Sequence, residues 1–152
     1  TLIELMVVVL IMGILAAIAI PTFLGAKSGA QNAAVQSNLR NLLTDEATSY
    51  TDNGAYGSFT TLAKVDPAYA ADLNNGTITV KHAATGASPD WACLYETSAS
   101  GTLYGVGIVS TTTPGGGPLA GTYYWESASG TAPGCTGAFG TGWHTNATAA
   151  GW

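Results

Sequence analysis

Glu4 is the residue with the most demanding chemistry in this chain. It stands in Thr1-Leu2-Ile3-Glu4-Leu5, and the 22 residues from Leu5 to Ala26 carry no charge at all. An ionised acid in hydrocarbon costs about 2.5 to 3.5 kcal/mol on insertion scales, so an acid at the head of such a run calls for a cationic partner. An acid at a helix amino terminus, stabilised by the helix dipole and reaching to lipid headgroups, is the plainer alternative.

The remaining reactive side chains assemble no familiar catalytic pattern. His82 and His144 lie far apart, the carboxylates are scattered, and no GxSxG, HExxH or phosphate-loop motif occurs. Gly115-Gly116-Gly117 follows no strand-to-helix pattern and reads as a turn. Asp66, Asp72 and Asp90 match no calcium-loop spacing, so no metal, cofactor or enzymatic activity is expected. Cys93 and Cys135 are the two cysteines, in neither a CxxC pair nor metal spacing with histidine. That pattern favours a disulfide formed in an oxidising compartment over two buried thiols, worth about 4 kcal/mol on the loop-entropy model. Asn75-Gly76-Thr77 and Asn146-Ala147-Thr148 match N-glycosylation sequons, making Asn75 and Asn146 candidate glycosylation sites.

Composition narrows the function classes further. Charged residues make up 9% of the chain, well below the roughly 25% of an ordinary soluble domain. The formal net charge is −5, with Lys27, Arg40, Lys64 and Lys81 as the fixed cations, so one copy offers no basic patch for nucleic acid.

Two kinds of element must position these residues. Leu5 to Ile20 has no polar side chain and, with Leu2 and Ile3, approaches the roughly 20 residues needed to cross hydrocarbon. A cleaved secretory signal needs a basic start and a shorter apolar core, so this segment is read as part of the mature protein. Gly13 and Pro21 interrupt it; Pro21 removes a backbone donor, and a kink or local melting is expected between the two. Gly13 equally suits close helix packing. Beyond Pro21 the pattern turns amphipathic, with Val35, Leu39, Leu42, Leu43, Ala47 and Tyr50 on or near one stripe and Asp52-Asn53-Gly54 as a stop. A helix over 2–52 is about 75 Å long, more than a domain of about 100 residues can bury.

Residues 54–76 read as a connecting loop with a brief helix at Pro67 to Leu73. Strands are expected at Thr77 to His82, Trp91 to Thr97, Leu103 to Ser110 and Gly121 to Glu126, with a hairpin at Ser98-Ala99-Ser100-Gly101. Ile78 and Val80 would bury one face on the helix stripe. Glycine, proline, serine and threonine loops are expected at 111–118 and 127–134, followed by a surface-laid tail to Trp152. The fold class is therefore α+β. An apolar helix over 1–26 leads into a head over 27–152, made of an amphipathic helix half (27–53), a connecting loop (54–76), a four-stranded antiparallel sheet (77–126) and distal loops (127–152).

Thr1-Leu2-Ile3-Glu4-Leu5, the apolar run and Ala19-Ile20-Pro21 together resemble the mature amino terminus of bacterial type IV pilins, most densely over residues 1–27. Tyr50-Thr51-Asp52-Asn53-Gly54-Ala55-Tyr56 resembles the helix-exit signature of type IVa pilins and pseudopilins, with Gly57 where many relatives have proline. The resemblance implies a prepilin cut by a prepilin peptidase and N-methylated on a residue, usually phenylalanine, that precedes Thr1. It implies that Glu4 pairs with a neighbouring subunit's terminal amine, with Thr1 beside it, and so fixes the stagger between subunits.

The implied protein is a structural subunit, held in the cytoplasmic membrane and then polymerised by a pilus assembly machine into a helical homopolymer on the cell surface. Gly13 to Pro21 would melt on assembly. Adhesion, twitching motility, and host, surface or DNA contacts would belong to the filament. The alternatives are a major pseudopilin of a type II secretion system and a single-pass membrane-anchored surface domain. Aromatic residues are absent from Leu24 to Ser49, which argues against electron conduction along the filament core.

Overall fold

The computed structural model describes residues 1–83, 90–110, 119–128, 134–135, 139 and 142–152, without the side chains of Asn74 and Asn75. The loop expected at 111–118, with Gly115 to Gly117, lies outside the described residues, as does most of 127–134.

Helix α1 spans Leu2–Asn53, 52 residues, and ends at Gly54, whose φ of 68° is the left-handed conformation that glycine adopts without steric cost. The Gly54 amide donates to the Tyr50 carbonyl at 2.8 Å and closes the last turn. The helix runs without a break through Gly13 and Pro21. Residues 1–27 are exposed throughout, whereas Val35, Leu39, Leu42, Glu46 and Ser49 are buried. Their alternating steps of four and three keep one face turned to the head. Val35, Leu39 and Leu42 lie on the expected stripe, and Leu43 packs partly buried beside it. From residue 46 onward the deepest positions hold Glu46 and Ser49 rather than Ala47 and Tyr50. Choosing the apolar residues moved the expected stripe one position off the track.

The segment after α1 is more structured than a connecting loop. Helix α2 (Phe59–Val65) docks through wholly buried Leu62. The helix expected at Pro67 to Leu73 is a 3-10 turn over Pro67–Tyr69 followed by α3 (Ala70–Asn75), and Asp66 caps the turn by accepting from the Ala68 amide at 2.9 Å. Helix α2 has seven residues and two threonines, too little local signal to stand out; tertiary burial of Leu62 accounts for it.

The sheet is an antiparallel meander in the order β1-β2-β3-β4, with β1 Ile78–His82, β2 Trp91–Thr97, β3 Leu103–Val109 and β4 Gly121–Ser127. Gly101, with φ 94°, and a hydrogen bond from its amide to the Ser98 carbonyl at 2.8 Å turn β2 into β3. The period of two puts Ile78, Leu94, Tyr104 and Val106 on the face that meets Val35, Leu39 and Leu42, with Leu62 and Leu73 closing the core.

The opposite face carries a second cluster. Cys93, Gly107 and Tyr123 stand side by side across three strands, and Cys93 is disulfide-bonded to Cys135. Phe139 stacks on Tyr123 at 4.9 Å between ring centres and meets Trp143 edge-on at 4.7 Å. A Cβ at position 107 would collide with the Phe139 ring, so only glycine fits there. The described end of the chain, 142–152, lies mostly exposed along the sheet and is pinned to it. Tyr124 and His144 exchange backbone hydrogen bonds, and the Trp152 ring packs on Tyr104 and Tyr124 while its Nε1 donates to the Trp125 carbonyl at 2.9 Å.

Candidate assembly site

The exposed half of α1 is the surface whose chemistry most needs an explanation. From Leu2 to Leu24 its large apolar side chains are about half to three-quarters exposed, and an 18-residue window reaches a mean hydropathy of 2.9. A soluble monomer rarely shows an apolar patch beyond a few hundred Å², so this face requires lipid or protein around it. The segment is long enough to cross a membrane by length and composition.

Inside this half, Pro21 withholds one amide from the helical ladder, leaving the Ala17 carbonyl without its usual donor. One residue on, the Thr22 hydroxyl donates to the Ala19 carbonyl at 2.9 Å and lies 3.3 Å from that of Ile18. Gly13 stands in open space: a methyl group placed on its Cα would have no neighbouring atom within 4 Å, so a second helix can approach the backbone there.

At the exposed start of α1 the Thr1 amine donates to the Glu4 carboxylate within the same chain.

The junction between helix and head contains two carboxyls that sequence reasoning did not single out. Glu46, wholly buried, accepts a hydrogen bond from the Gly57 amide at 2.7 Å through Oε2. Desolvation, with Asp45 and Asp90 nearby, pushes its carboxyl up to about 8 against the pull of the Gly57 bond. Glu96 on β2 is buried opposite Ile78 and Tyr104, and desolvation with nearby Asp72 pushes it up to about 7, while Asn38 of α1 bonds to it and works the other way. The signal that could have found Glu46 is its place on the stripe, four residues after Leu42.

Other residues singled out by sequence are dispersed. His82 is exposed at the end of β1 and His144 is exposed at its bridge to Tyr124. Among the described residues no group of three histidine, cysteine or acidic side chains is arranged to hold a metal ion. Asn146 is exposed, and its Oδ1 accepts from the Thr148 amide at 2.9 Å; the Asn75 side chain lies outside the described residues. A cleft of about 500 Å³ between the end of α1 and the β3–β4 edge is lined by Tyr50, Tyr56, Ser110 and Thr122 among others, with no acid, histidine or cysteine among the described lining residues.

The fold and its exposed apolar helix define a class: a long spine that carries a small antiparallel head and exposes an apolar surface suited to lipid or protein along its first half. Within that class, the chain is similar to the type IV major pilin protein PilA of Myxococcus xanthus (strain DK1622), at 42% identity over 59 residues. The match covers 39% of this chain and 27% of the relative, so it spans about a quarter of the relative's length. No family model matches the chain, and no solved structure matches it. The likeness in sequence, together with a long amino-terminal helix on an antiparallel sheet, is consistent with a pilin fold and supports a pilin-like structural subunit.

Proposed function

We propose that this chain is the structural subunit of an extracellular type IV pilus, held in the cytoplasmic membrane before assembly and polymerised through the apolar half of α1. The observation that carries the reading is the exposure of every residue of that half, while the following part of α1 buries Val35, Leu39 and Leu42 against the head. Lipid covers it first and neighbouring copies cover it afterwards.

In this reading the subunit is processed by a prepilin peptidase and handed to a pilus assembly machine. Glu4 pairs with the terminal amine of a neighbouring subunit, and the pairing sets axial register. An intramembrane carboxylate without a cation is costly, so the step is favoured only when copies meet at the right stagger. Pro21 supplies the missing ladder bond at which the helix opens on assembly or stretching, and Gly13 permits close approach of spines. The head, with its disulfide and candidate glycan at Asn146, forms the outer surface, where adhesion, motility or DNA contacts arise from repetition along the filament.

Shearing cells and identifying this chain as the main component of long surface filaments tests the reading. Short periplasmic polymers that extend only alongside secretion would instead indicate a pseudopilin, and a chain that stays dispersed in the membrane would indicate a simple anchor.

A further inference from the structure

We propose that Glu46 and Glu96 are proton-bearing clasps between the head and α1, so that the head grips its helix more tightly as pH falls and loosens in alkaline conditions. Each carboxyl joins α1 to a different part of the head. Glu46 projects from α1 and takes the Gly57 amide, just past the helix cap and ahead of α2. Glu96 projects from β2 and receives Asn38 of α1.

The surroundings of both are acidic or neutral. Glu46 is faced by Asp45 on its own helix, by Asp90 ahead of β2 and by the Gly57 amide; Tyr56, whose hydroxyl bonds with Ser110, lies close enough to feel its charge. Glu96 is faced by Asn38 of α1 and Asp72 of α3, with Tyr104 opposite it on β3. Lys27, Arg40, Lys64, Lys81 and both histidines all lie among the described residues, and none forms an ion pair with either acid. Glu46 Oε1 and Glu96 Oε2 are buried without a hydrogen-bond partner among the described residues. A buried carboxyl so placed is held in its neutral form, since ionisation would strand a charge where nothing offsets it.

The sign follows from proton counts. Unfolded, both acids release their protons near the ordinary glutamate value; folded, they keep them to about 7 and about 8. Between those limits the native state binds more protons, so stability is highest below the unfolded value and falls as pH rises towards 8. The unfolding constant gains up to about tenfold per pH unit for each proton retained. This inference holds whether or not the chain forms a pilus.

The test is urea unfolding of the full chain in detergent micelles from pH 5.5 to 9.5, followed by tryptophan fluorescence. The wild-type midpoint is expected to fall steadily with pH. Glu46→Gln keeps an acceptor for Gly57 and removes the part of the slope that ends near pH 8; Glu96→Gln removes the part that ends near 7; the double variant is flat. A flat wild-type profile, or a double variant with the wild-type slope, overturns the proposal. If the variants do not fold, a carbon NMR titration of the wild-type carboxyls decides. Midpoints near 7 and 8 support the clasps, and midpoints in the ordinary carboxylate range overturn them.

Discussion

Glu4 and Gly107 show how much one position can demand. Glu4 stands exposed at the head of an apolar spine, and the proposed function gives it the terminal amine of a neighbouring copy as its partner. Glu4→Ala is expected to leave membrane insertion intact and to abolish or greatly slow filament growth, scored as sheared filament protein against the membrane pool; normal piliation would remove the register role. Gly107 is tested by stability alone. Gly107→Ala drives a methyl into Phe139, an overpacking cost of about 1 to 3 kcal/mol, read as a lower urea midpoint. Glu46 was harder to read from sequence because a carboxyl on an amphipathic helix is ordinarily a solvated one. Only the register of the stripe, Val35, Leu39, Leu42 and then position 46, puts Glu46 inside.

At the scale of elements, α1 performs two tasks with one continuous helix, and substitutions in its halves are expected to separate them. Leu39→Ala or Leu42→Ala opens a cavity against the sheet and is expected to cost about 2 to 5 kcal/mol of head stability by urea unfolding. Val9→Ala or Leu10→Ala touches no part of the head and is expected to leave that stability within about 0.5 kcal/mol while reducing filament yield. Equal effects on the head from both halves would contradict the division. The long helix, its glycine stop and the four strands were legible because their periods of 3.6 and 2 persist over many residues and end at turn chemistry. Helix α2 was not, since seven residues with two threonines carry little propensity and their order comes from Leu62 entering the core. The packing of Trp152 was equally hidden: its neighbours Tyr104, Tyr124 and Arg40 converge only once the sheet has formed.

The whole molecule is a spine with one half embedded in a head that is stapled on its far face. The Cys93–Cys135 bond spans 42 residues of sequence and constrains a glycine-rich chain with a modest core. Replacing both cysteines with serine is expected to cost about 2 to 5 kcal/mol of head stability while sparing the spine's ability to enter membranes. What the head cannot do is cover residues 2–24, and the proposed function turns on what does. A reconstruction of the filament made by this chain answers that question. The expected result is a bundle of apolar α1 halves at the axis, heads outward, and Glu4 of each copy against the first residue of a neighbour. Spines lying on the outside of the polymer, or Glu4 turned only to its own Thr1 at every site, would contradict it.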